Sequence, residues 1–262
     1  MGYRDRLDAA IRQRGQLCIG IDPMPSVLAA WGLPNDVSGL ELCARNIVAR
    51  LADSVAVFKP QSAFFEAHGS AGVAVLERVL ADIRQAGALA VLDVKRGDIG
   101  SSMAGYATAY LADESPLRAD AITVSPYLGV GAIEPLWQRA QAAGRGVYVL
   151  VRTSNPESDE VQTAVTPRGS VAQLVVDQVT EWGPDAGMVV GATRAQLDVD
   201  LSRFNGSILV PGIGTQGGTI DGARVTFGAS FAQILPTVSR DVIGHGEAEL
   251  KPRVASLIAT LE

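Results

Sequence analysis

The groups best able to do chemistry in this chain lie in residues 89–102, LAVLDVKRGDIGSS. The run alternates as a strand does, with Leu92 and Val94 on one face and Asp93 and Lys95 on the other. Opposite charges on a buried strand, followed by Asp98, are costly unless they serve one another or a ligand. A lone D-x-K would read as a salt bridge at a strand end, so the surroundings must decide. Lys95 lies near two carboxylates, which favour its charged form. It is therefore suited to donating a proton and unsuited to Schiff-base chemistry.

The elements that must position these groups follow a regular rhythm. Apolar strand patterns occur at Leu17–Asp22, Ser54–Lys59, Leu89–Lys95, Ala121–Ser125, Gly146–Thr153, Gly187–Ala192, Ser207–Pro211 and Phe231–Pro236. A short amphipathic helix is expected at about residues 3–14. Further helical patterns fall at 42–52, 70–86, 102–113, 129–143, 169–181, 194–203 and 247–261. Eight strands alternating with helices, at about 33 residues per unit, predict a single α/β domain over 1–262, a (β/α)8 TIM barrel. A doubly wound open sheet would want a glycine-rich loop after its first strand, and GIDPMPS is not one.

In such a barrel the working groups gather at the C-terminal ends of strands. Asp22, Lys59, Asp93, Lys95 and Thr153-Ser154 all fall there. Asp22 before Pro23, or the TSNP run from Thr153, could be ordinary turn chemistry. Lys59 is harder to explain so, because an inward lysine needs a counter-charge. After strand seven the chain reads VPGIGTQGGT, residues 210–219, and strand eight leads into Ser239 and Arg240. A glycine-rich loop can present backbone N–H groups to an anion, and guanidinium matches phosphate in a bidentate way, so the two together predict a phosphate clamp. Lysine and aspartate beside a phosphate site suit a reaction in which negative charge develops on carbon and is then protonated, as in a decarboxylation.

Composition narrows the classes. The chain has 262 residues and is 47% hydrophobic, enough for a sizeable core. A net charge of −6 without a basic stripe argues against nucleic acid. No apolar run has the length of a membrane span, and the charged start MGYRDRLDAAIRQRG is unlike a signal peptide, so a cytoplasmic location without membrane contact is expected. Cys18 and Cys43 read as reduced core residues, and two histidines leave little scope for a metal centre.

The motif D-x-K-x-x-D-I, met by Asp93, Lys95, Asp98 and Ile99, resembles that of the orotidine 5'-phosphate decarboxylase family. The other matches follow in the family's order along nearly the whole chain, and the TSNP run resembles the longer bacterial branch. The resemblance implies a homodimer converting orotidine monophosphate to uridine monophosphate and CO2, with no cofactor and no metal. It further implies that Lys95 protonates C6, Asp93 sits beside the substrate carboxylate, and Lys59 completes the charge network and holds the ribose. Asp22 would bind ribose hydroxyls, and Ser154, or alternatively Thr153, the pyrimidine amide. Pro211, Gln216, Ser239 and Arg240 would close over base and phosphate, while Asp98, Ile99 and Ser102 would reach the partner's site. The alternative within this motif is a magnesium-dependent keto-sugar phosphate decarboxylase or hexulose phosphate synthase; a non-catalytic nucleotide-binding barrel would not need all four charged residues.

Overall fold

In a computed structural model describing residues 1–193 and 196–261, eight buried apolar segments form the expected strands. They are β1 (Cys18–Ile21), β2 (Val57–Pro60), β3 (Leu89–Arg96), β4 (Ala121–Val124), β5 (Gly146–Arg152), β6 (Ala186–Val190), β7 (Ser207–Val210) and β8 (Ile234–Val238). Every pairing is parallel, and β1 sets Ile19 beside both Phe58 of β2 and Val238 of β8, which closes the barrel. Strands buried on both faces must be apolar almost throughout, and these are.

The outer wall is built from α2 (Val37–Leu51), α3 (Gly69–Gln85), α4 (Gly100–Leu111), α5 (Val130–Ala142), α6 (Val171–Thr180), α7 (Ile220–Phe227) and α8 (Leu250–Leu261). Before them comes α1 (Tyr3–Arg14), close to its expected bounds. Helix α3 shows the logic: Val75, Leu76, Val79, Leu80 and Ile83 form the buried stripe, and Gly87 follows with φ 68°. Helix α2 starts earlier than its apolar pattern suggested, because Asp36 caps it by accepting from the amides of Ser38 at 2.9 Å and Gly39 at 3.0 Å.

Two expectations are corrected. The helix expected at 194–203 does not form over 196–203, where the chain runs through bends and turns; residues 194 and 195 lie outside the described residues. Asp200 accepts from Ser202 N at 2.8 Å, Gln173 binds the Asp200 backbone, and Asp198 is drawn to Arg152, so local acids compete with a helical ladder. Strand eight starts later and runs further than expected, since residues 228–233 form a 3-10 turn. That shift brings Thr237 inside the barrel wall.

The interior is graded along the barrel axis. At the N-terminal end Tyr3 of α1 meets Tyr148 of β5 edge-on, with the hydroxyls 3.0 Å apart, over an apolar layer including Leu7, Val57, Val91 and Leu235. Burial pushes the Tyr148 hydroxyl up to about 12, so the pair stays neutral. Room for the rings comes from two glycines: a Cβ on Gly146 would lie 2.4 Å from the Tyr3 ring, and one on Gly187 2.3 Å from the Tyr148 ring. Gly146→Ala is therefore expected to cost about 1–3 kcal/mol by overpacking, read as a lower urea midpoint at unchanged slope. An unchanged midpoint would mean that the plug is looser than these contacts indicate.

Candidate active site

The same inward positions change character towards the C-terminal ends of the strands. Alternation places Cys18, Gly20 and Asp22 on one line, Val57, Lys59 and Gln61 on the next, then Leu89, Val91, Asp93 and Lys95, and then Ala121 and Thr123. Each line runs from apolar to polar or charged. Their upper ends open into a cavity of about 620 Å³ lined also by Ser154, Pro211, Gln216, Thr237, Ser239 and Arg240.

Asp93 is its centre. The carboxylate is buried and receives four hydrogen bonds. Lys59 Nζ donates at 3.0 Å and Gln61 Nε2 at 2.9 Å to Oδ2; Lys95 Nζ and Thr123 Oγ1 each donate at 2.7 Å to Oδ1. Both oxygens are thus fully engaged. Burial alone would push this acid up, but Lys59, Lys95 and the donated hydrogen bonds outweigh it and hold the group well below the usual carboxylate range. Burial likewise disfavours the Lys59 ammonium, yet Asp93 and Asp22 prevail and raise it above an ordinary lysine. A buried pair of this kind is offset only by good geometry and further hydrogen bonds, which Gln61 and Thr123 supply.

Lys95 is the sole non-glycine residue with positive φ among the described residues, at 45°. Pairing of β3 with β4 slips between Leu92 and Arg96, so Lys95 sits in a bulge. A left-handed residue without a glycine's freedom costs about 1–2 kcal/mol. The conformation is held by Thr123 Oγ1, which accepts from the amides of Val94 at 3.1 Å and Lys95 at 3.0 Å, and by the ion pair to Asp93. The bulge turns Lys95 so that its ammonium stays half exposed at the cavity while its neighbour Asp93 is buried. Strain stored at such a position points to function.

Beyond Lys59, where β1 and β8 end, the buried atoms Asp22 Oδ1 and Ser239 Oγ have no hydrogen-bond partner among the described residues. They share the space that Gly20 leaves open, where a Cβ would lie 2.6 Å from Ser239 Cβ and 3.4 Å from Asp22 Oδ1. Arg240 lines the cavity and forms no ion pair among the described residues. The glycine loop differs from expectation in one respect: the amides of Gly214, Gly217 and Gly218 are spent on carbonyls within the loop. Positive φ at Gly212, Gly214 and Gly217 makes that fold possible. Its Gln216 accepts from Ser154 Oγ at 3.0 Å, closing the cavity from two sides. Thr153 Oγ1 instead donates to Asn155 and accepts from Gln162, so Ser154 presents the hydroxyl that joins the two loops.

Nine of the residues singled out from the sequence thus line one cavity: Asp22, Lys59, Asp93, Lys95, Ser154, Pro211, Gln216, Ser239 and Arg240. Asp98, Ile99 and Ser102 do not line it. Asp98 Oδ1 accepts from Ile99 N at 2.8 Å, and Ile99 is 62% exposed. Gln61 and Thr123 were missed. The signal for Thr123 was there, a polar residue on the inward parity of AITV; for Gln61 it was the continuation of β2 beyond Pro60. Among the described residues no group of three or more His, Cys, Asp or Glu is placed to hold a metal ion.

A cavity bearing buried charges at the C-terminal mouth of a closed parallel barrel is where enzymes of this architecture work, and the chain falls in the class of (β/α)8-barrel enzymes. Within that class, residues 15–251 match the family model described as "Orotidine 5'-phosphate decarboxylase / HUMPS family", and the chain belongs to this family. It is 51% identical to an orotidine 5'-phosphate decarboxylase of Salinispora arenicola, over 98% of this chain and 93% of the relative. Identity is 50% to the enzyme of that name from Streptomyces coelicolor, over 92% and 89%. A crystal structure from Streptomyces avermitilis, of a protein assigned the same name, superposes with a TM-score of 0.93 at 46% identity, covering 99% and 94%. Leishmania donovani OMP decarboxylase gives 0.82 at 27% identity, over 100% and 98%.

The charge pair carries a pH signature. A carboxylate depressed in the folded state adds stability that is full above its unfolded value of about 4 and is lost as pH falls through the folded value. The stability difference between the wild type and Asp93→Asn should therefore be constant near neutrality and shrink below about pH 4. Urea unfolding at pH 6 and pH 3.5 checks this; a difference that grew on acidification would contradict the assignment.

Proposed function

We propose that this chain decarboxylates orotidine 5'-monophosphate to uridine 5'-monophosphate and CO2 in pyrimidine biosynthesis, without cofactor or metal. The observation that carries the reading is the Asp93 carboxylate fixed between two ammonium groups in a cavity that Arg240 also lines. Family membership and the names of relatives at about half identity support it.

The substrate's phosphate lies against Arg240 and Ser239, its ribose hydroxyls against Asp22 and Lys59, and its pyrimidine amide against Ser154 and Gln216, with Pro211 along the base. This sets the C6 carboxylate beside Asp93 and Lys95. The C6–carboxylate bond breaks with its electron pair remaining on C6, and CO2 departs. Lys95 then gives a proton from Nζ to C6, becoming a neutral amine that recovers its proton from solvent. Ammonium groups already held in place by Asp93 need no reorganisation as the carbanion forms, the condition under which fixed charges lower a barrier most. Phosphate and base contacts far from C6 contribute binding energy to the chemical step.

The molecule works as a cytoplasmic homodimer, each copy being one domain over its whole length. Asp98, with Ile99 and Ser102, reaches the neighbouring site; the exposure of Ile99 and the absence of all three residues from their own cavity support this. The ligands are small nucleotides, with neither nucleic acid nor membrane as partner. Among the described residues no helix is long and apolar enough to cross a bilayer. A magnesium-dependent keto-sugar phosphate reaction is disfavoured because Asp93 has both oxygens committed to Lys59, Gln61, Lys95 and Thr123.

Lys95→Ala should lower kcat for orotidine monophosphate by about 10³-fold or more, since proton donation and charge are lost together. Uridine monophosphate should still bind within about tenfold of the wild type, checked by calorimetry. Retained turnover in the variant would remove Lys95 from the reaction. Mixing inactive Lys95→Ala and Asp98→Ala subunits should restore part of the activity, because one site of the mixed dimer then has both intact residues. No recovery after demonstrated subunit exchange would place Asp98 in its own subunit's site or outside both.

A further inference from the structure

Arg152, the last residue of β5, is the largest fully buried side chain among the described residues, at 1% exposure, and it does not line the cavity. Its donors are divided between two separate segments. Towards the loop after β6, Nε donates to Asp198 Oδ1 at 2.9 Å and Nη2 to Asp198 Oδ2 at 2.7 Å, a bidentate pair. Towards residues 153–163, Nη2 donates to Asp159 Oδ1 at 2.9 Å, and Nη1 to Gln162 Oε1 at 3.0 Å and more weakly to Ser158 Oγ.

The second set leads to the cavity. Gln162 Oε1 also accepts from Thr153 N at 3.0 Å, and Gln162 Nε2 donates to Thr153 Oγ1 at 3.0 Å. Both bonds fix the backbone and side chain of the residue next to Ser154, whose hydroxyl meets Gln216 across the cavity. Gln162 and Val161 themselves line the cavity wall. The covering segment is short in regular structure: one 3-10 turn and a single turn of helix at Asp159–Gln162, with no buried residue in that helical turn.

We propose that Arg152 is a positioning residue for the base end of the site: it sets the 153–163 cover, and through Gln162 and Thr153 the Ser154 hydroxyl, without touching substrate. The inference rests on the reading of Ser154 as the group that meets the pyrimidine. Lysine cannot replace it, because a single ammonium cannot serve a bidentate carboxylate and three further acceptors in a planar fork. The phosphate end does not depend on it, since Ser239 and Arg240 follow directly on the end of β8, at Val238.

The test compares wild type, Arg152→Lys and the milder Asp198→Asn, whose side chain is 42% exposed and which leaves the guanidinium in place. Hydrogen exchange of the ligand-free proteins should accelerate over residues 153–163 in both variants, with the barrel strands unchanged. Uridine monophosphate should bind about tenfold more weakly to Arg152→Lys, while ribose 5-phosphate, which lacks the base, stays within about twofold. Unchanged exchange over 153–163, or equal losses for the two ligands, would overturn the proposal. If Arg152→Lys fails to fold, Asp198→Asn decides by the same two readouts. Failure of the wild type to turn over orotidine monophosphate would count against the proposed reaction alone, since exchange needs no substrate.

Discussion

A carboxylate taken out of water must find partners for both oxygens, and most of the upper barrel can be understood as the answer to that demand at Asp93. Its four donors come from three adjacent strands, β2, β3 and β4, counting Gln61 just beyond the end of β2. A shift of any one strand by a residue would turn the donor outward, because alternate side chains face opposite sides. The requirement that keeps Asp93 ionised therefore also fixes the register of that sector of the barrel. The same geometry pairs Lys59 and Lys95 with one carboxylate beside the cavity, where they can act on a ligand.

The cost of this arrangement is visible in two places. Lys95 occupies a left-handed backbone conformation inside a bulge, stabilised by Thr123, which serves the carboxylate and two backbone amides at once. Below the charged layer, the barrel is closed by the neutral Tyr3–Tyr148 pair with its two glycine recesses, a tight apolar plug under the strained mouth. Stability is concentrated at one end of the barrel and reactivity at the other, the division that this fold permits because loops can vary while the strands stay packed.

Much of this was legible in the sequence. The spacing of Asp93 and Lys95, the inward parity of Lys59 and the ordering of eight apolar segments carry the fold and the charged half of the cavity. What escaped was set by tertiary partners. Thr123 looks like any threonine in a strand until the bulge of β3 brings two amides to it. The helix expected at 194–203 has Leu197, Val199 and Leu201 at every second position, a poor helical spacing, and over 196–203 Asp198 is drawn to Arg152, the Asp200 carboxylate to Ser202 N and the Asp200 amide to Gln173. The glycines at 212–218 suggested free amides, whereas the folded loop uses several of them on itself. Local pattern predicts where chains are apolar; it does not report which polar groups will find each other across the barrel.

The central claim is that charges fixed by Asp93 suffice for decarboxylation. It is tested most directly by following the absorbance of orotidine monophosphate with purified wild-type protein in excess chelator and no added metal. Full turnover is expected, with one uridine monophosphate and one CO2 formed per substrate consumed. No turnover under these conditions, with activity on a keto-sugar phosphate appearing on addition of magnesium, would contradict it.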